Sequence, residues 1–189
     1  MLGPHERLTY MSIRDEIIEL EKGERLFRLR PMVLPPRHSE IRQIYVSAEI
    51  NAKIIGPWSD GEDEFRCGRA HADLVAFIYR DPLVIAKDSR HGGASHASRL
   101  QPPGDEVWDI RCVDPAPGIR VLGRFAERNL FIGLTWEIRL HLKNFGSKEW
   151  RDAIVRCARE WHQLFPAYDP LTGDYFADYL TDGVFDRDP

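Results

Sequence analysis

The sequence predicts an α+β protein in which an antiparallel sheet, ending in a C-terminal three-stranded meander, packs against helices. Two observations carry this expectation. Glu106 to Glu137 contains three short runs that alternate apolar and polar residues, EVWDIRCVD, GIRVLGRFAE and LFIGLTWE, joined by two tight connections. Downstream, KEWRDAIVRCAREWHQL (148–164) places Trp150, Ala153, Ile154, Cys157, Ala158, Trp161 and Leu164 at helical spacing, as a helix packed on that meander would.

The elements follow in chain order. Residues 12–22 read as a short helix, with Ser12 as N-cap, Asp15 three residues on, Gly23 after the end, and Ile13, Ile17 and Leu20 in one stripe. Glu24 to Leu34 reads as a strand, ended by Pro35-Pro36. Residues 40–55 fit either type: Ile44, Tyr45 and Val46 favour strand, while the spacing of Ile41, Ile44 and Ala48 allows helix. Residues 56–66, GPWSDGEDEFR, read as an acidic loop, and 69–80 as a buried helix closed by Pro82. The segment 88–98 is small and polar, a loop or linker. In the meander, Ile119, Val121, Gly123 and Phe125 share one face, opposite Arg120, Leu122 and Arg124. On the third strand Leu130, Ile132, Leu134 and Trp136 are expected on one face. After Phe165 six aspartates oppose one arginine, with Tyr168, Tyr175, Phe176 and Tyr179 interspersed. This tail is expected to dock by its aromatics, to fray at its end, and to be able to cover a basic face.

The chain of 189 residues suits one domain: 1–98 as an N-terminal extension or layer, 99–165 as the meander module, and 166–189 as the acidic tail. A net charge of -4 argues against coating nucleic acid by bulk charge, yet leaves room for a local basic patch. Within 105–165 ten basic residues nearly balance nine acidic ones. Three cysteines without a CxxC pair form no disulfide framework, and reduced thiols suit the cytosol. There is no apolar run after the N-terminal charges and no segment near the ~20 apolar residues that span a bilayer. A cytoplasmic protein without membrane contact is therefore expected.

Chemistry-bearing motifs are few. Cys67 and His71 supply two ligands, which leaves a zinc site incomplete, so no metal and no cofactor is expected. Nucleotide, hydrolase and metalloprotease motifs are missing. What remains is a set of bases close in sequence: Arg111, Arg120, Arg124, Arg139, Lys143 and Lys148, with His141 among them. Strand arginines are pre-positioned for bidentate phosphate contacts, and a histidine beside them would serve as acid or base. The competing reading is that they form cross-strand pairs with residues such as Asp109 and Glu137.

Leu100, Val107-Trp-Asp-Ile-Arg111, Gly118-Ile-Arg-Val-Leu-Gly-Arg-Phe125 and Phe131-Ile-Gly-Leu134 resemble the meander of the RelE/ParE toxin superfamily and its phage-derived relatives, over about residues 99–145. The resemblance implies a compact antiparallel sheet against helices, and an activity on RNA such as ribosome-dependent mRNA cleavage. The partners it implies are RNA or the ribosome, and a small antitoxin protein. Arg120 would then meet the scissile phosphate, with Arg124 and His141 as its catalytic companions. Arg111, Arg139 and Lys143 would bind phosphate or RNA. The alternative is a non-enzymatic binding or structural protein that retains the RelE-like sheet without a catalytic site.

Overall fold

The computed structural model describes residues 11–58, 61–80, 82–86, 95–181 and 184–186, without the side chains of Glu62 and 184–186. Helix α1 (Ile13–Lys22) starts at a capping box between Ser12 and Asp15 and ends at Gly23. It leads into strand β1 (Leu26–Arg28), much shorter than the run expected over 24–34. The ambiguous stretch 40–55 is both things in turn. Strand β2 (Gln43–Ser47) passes into helix α2 (Ala48–Ile55), and Ser47 caps that helix by accepting from the Ile50 amide. Helix α3 (Gly61–Tyr79) begins inside the segment read as an acidic loop. Beyond it, β3 (Leu83–Ala86) and β4 (Ala97–Arg99) follow. The expected loop 88–98 therefore ends in a strand, and its earlier part lies outside the described residues.

The meander forms as expected: β5 (Trp108–Cys112), β6 (Ile119–Glu127) and β7 (Leu130–Ile138) are antiparallel neighbours. Helix α4 (Lys148–Leu164) follows, with Ser147 as its N-cap. The acidic tail contributes a single helical turn, α5 (Phe176–Tyr179), and a last strand, β8 (Val184–Asp186). Part of the end expected to fray, residues 182–183 and 187–189, lies outside the described residues.

All eight strands join one sheet in the order β1-β2-β7-β6-β5-β4-β3-β8. The sheet is mixed rather than antiparallel. β2 runs parallel to β7, and β3 runs parallel to both β4 and β8. The meander's hairpins can only make antiparallel pairs, whereas the long excursion through α2 and α3 lets a distant strand return in the same direction.

Both faces of the sheet are covered. One core joins Ile50 and Ile54 of α2, Leu74, Phe77 and Ile78 of α3, and Phe176 and Tyr179 of the tail to Trp108, Ile110, Val121, Phe125 and Phe131. The other joins Ile17 and Leu20 of α1 and Trp150, Ile154, Cys157 and Trp161 of α4 to Leu122, Leu130, Ile132 and Leu134. The buried side chains of the tail thus lie on the α2/α3 face. Arg120 and Arg124 belong to the opposite face, in phase with Leu122.

One phase assignment changes. Trp136 packs with the α2/α3 core, while Leu134 packs with the α4 core. The register between β6 and β7 shifts between Leu122 and Gly123, where a bulge inserts an extra residue on β7 and reverses the alternation beyond it. Gly123 permits the bulge, because a Cβ there would run into the Ile132 carbonyl.

Candidate functional site

Asp109, in the middle of β5, is fully buried. The ladder sets it beside Ser98 on β4, and it sets Arg111 beside Arg120 on β6. Odd-numbered positions on β5 and even-numbered positions on β6 face the same side, so these polar side chains meet. Ser98 Oγ donates to Asp109 Oδ1 at 2.5 Å. Oδ2 of the same carboxylate takes Arg111 Nε at 3.3 Å and Arg120 Nε at 3.2 Å. Arg111 Nη2 donates back to Ser98 Oγ at 2.7 Å.

Two guanidinium groups thus share one carboxylate. Burial pushes the Arg120 pKa below its ordinary value. Asp109 opposes that shift, whereas Arg111 and Arg139 add to it as like charges. The local balance is positive even though the chain is acidic.

The polar network continues across β7. Glu137 is the ladder partner of Arg120 and bonds Arg156 of α4 at 2.8 Å, while Arg156 also lies 3.7 Å from Glu49. Burial raises the Glu137 carboxyl pKa. Arg156 and the nearby His141 hold it down, and Glu49 raises it further. His141 itself is exposed in the turn after β7.

The structure divides the six expected site residues. Arg111 and Arg139 both lie within electrostatic reach of Arg120 at one end of the meander. Arg139 rests over the Trp150 ring at 5.6 Å and donates to the Lys143 carbonyl at 2.6 Å. Lys143 is turned to Glu149 at the start of α4. Arg124 stands apart. Four residues along the strand separate it from Arg120 by about 13 Å, and its guanidinium donates to the Asp105 carbonyl at 2.6 Å. It is buried near Cys157, and that burial lowers its pKa. Arg120 and Arg124 do not converge on one groove.

Asp109 enters the site as an ion-pair partner of Arg111 and Arg120 and Glu137 as the ladder neighbour of Arg120, the cross-strand pairing that stands as the alternative to a phosphate site. Ser98 lies in a stretch whose small, polar composition reads as loop, and nothing local in His96 to Leu100 marks it as a strand residue. A second buried polar cluster sits on the other face. Glu106 accepts from Tyr179 Oη at 2.5 Å and lies 3.7 Å from Arg99, which also donates to the Gly173 carbonyl. Burial raises the Glu106 pKa above the ordinary carboxyl value, and Tyr179, Arg99 and Arg124 moderate the rise.

Among the described residues no group of three or more His, Cys, Asp or Glu side chains could hold a metal ion. No helix among them is long and apolar enough to cross a membrane. The fold and site define a three-layer α+β protein with a buried arginine–carboxylate network through its sheet. No family model, no curated protein and no solved structure matches the chain.

Proposed function

We propose that this chain is a non-enzymatic binding or structural protein built on a RelE-like sheet, in which the arginines hold the sheet together rather than act on a phosphodiester. One observation carries this reading: Asp109, fully buried, engages both Arg111 and Arg120. An arginine committed to an internal carboxylate is poorly placed to take up a phosphate, because it would first have to give up a buried, desolvated ion pair. The separation of Arg124 from Arg120 points the same way. On this reading Arg120→Ala lowers the melting temperature, and expression of the intact chain leaves growth and translation unchanged. Growth arrest by the wild type, lost in a folded Arg120→Ala variant, would overturn it.

A second reading keeps an activity on RNA, in the manner of RelE-like toxins, with the ribosome or RNA as target, a small antitoxin as partner and the cytoplasm as location. It is favoured by the excess of Arg111, Arg120 and Arg139 over Asp109, beside Glu137 and the exposed His141. In such a site the guanidinium groups would stabilise charge on the phosphate while His141 moved the proton of the attacking hydroxyl. Cleavage of ribosome-bound mRNA by the purified chain, abolished by His141→Ala, is the outcome that selects this reading.

A further inference from the structure

The outer face of α3 has no part in either reading above. Its inner face is core: Ala70, Leu74, Phe77 and Ile78 are buried. Its outer face shows Gly61, Phe65, Gly68 and Ala72, spaced four, three and four residues apart, with Glu64 and Arg69 on its two flanks. Phe65 is 61% exposed, although a phenyl ring in water is costly. Beside it lies an open groove of about 590 Å³, walled by Trp58 and floored by Gly61, Glu64, Phe65 and Gly68. Among the described residues nothing lies within 4 Å of where a Cβ would stand on Gly61 or Gly68, so both glycines leave the groove open.

The spacing is that of a coiled-coil seam, with Gly61 and Gly68 at d, Phe65 and Ala72 at a, Glu64 at g and Arg69 at e. In a parallel pair of such helices, a side chain at a enters a hole made by the preceding d and g, the facing a, and the next d. For Phe65 that hole is Gly61, Glu64, Phe65 and Gly68, the residues that floor the groove. In the same arrangement a g residue meets the e residue five positions on in its partner, which sets Glu64 against Arg69. Among the described residues Glu64 has no ion pair, and Arg69 makes only a loose contact of 3.9 Å with Asp73.

We propose that the occupant of this groove is a second copy of the chain, paired through α3 about a two-fold axis parallel to the helix. Phe65 of each copy seats between the glycines of the other, and Glu64 of each pairs with Arg69 of the other. The surface is self-complementary in shape and in charge, as an isologous interface requires.

Sedimentation equilibrium on the full chain, from about 1 to 200 µM to cover a weak contact, tests the proposal. The wild type should reach the mass of a dimer, and Phe65→Glu should remain a monomer with an unchanged far-UV circular dichroism spectrum. Glu64→Arg should weaken the dimer at least tenfold, and adding Arg69→Glu to it should restore the affinity. A wild type that stays monomeric throughout overturns the proposal, even if another protein binds the groove. So does a dimer indifferent to Phe65→Glu, or one that the reversed charge pair fails to restore.

Discussion

Asp109 is the residue on which the arginine network turns. Removing it leaves two guanidinium groups buried against each other, whereas removing either arginine leaves the other in place. Asp109→Ala should therefore cost about 3 to 5 kcal/mol of stability, read from urea denaturation. A loss under 1 kcal/mol would mean that water reaches the cluster. Glu106 gives a pH signature of opposite sense to an ordinary ion-paired carboxylate. Its folded pKa lies above the value of 4.5 taken for the unfolded chain. The folded state therefore holds the proton more tightly than the unfolded state. The stability from this group is complete below the unfolded value and declines as pH rises through the folded one. Glu106→Gln should flatten the fall in melting temperature as pH rises above about 4.5; an unaltered slope would show that Glu137, shifted in the same direction, dominates it.

At the scale of elements, the bulge between β6 and β7 decides which side chains reach which core. Gly123 lets the strands close at that point, since any Cβ would strike the Ile132 backbone and the Phe131 ring. Gly123→Ala should destabilise by up to about 3 kcal/mol, seen as a shift of the denaturation midpoint. An unaffected midpoint would mean that the register relaxes freely. Helix α4 offers a second check. Burial pushes the Cys157 thiol up to about 12 and also raises that of Cys112 on β5. Cys67 on α3 is only half-buried. With an aromatic disulfide reagent at mildly alkaline pH, the native chain should release at most one fast equivalent, from Cys67, and three after denaturation. Fast reaction of Cys157 would contradict the packing of α4 on the meander.

For the whole molecule, the tail is part of the core. Phe176, Tyr179 and Leu180 fill the α2/α3 face, and Asn129 at the β6–β7 turn exchanges hydrogen bonds with Thr181 through its amide side chain. Truncation after Phe165 should abolish the near-UV circular dichroism signal and the cooperative melt, because Trp108 and Phe125 would lose three aromatic contacts with the removed Phe176 and Tyr179. A truncated chain that melted cooperatively near the wild-type temperature would make the tail a dispensable cover.

Local pattern carried much of this molecule. The helix of 148–164, the capped helix after Ser12 and the three strands of the meander each announce themselves through a repeat or a cap inside one short stretch, and both follow from chain geometry alone. The acidic stretch from Gly61 hid a helix, because its outer face is glycine, phenylalanine and charge, and only the sheet beneath explains its inner face. The parallel pairing of β2 with β7, the strand beyond the loop and the docking of the tail depend on partners that are distant in sequence. The site divides the same way. Arginines in apolar strands marked Arg111 and Arg120 in the sequence itself, since such residues need a reason to be there. That Arg111 and Arg120 meet a buried Asp109 was decided by strand register, which brings β4, β5 and β6 side by side and leaves Arg124 about 13 Å away along its strand.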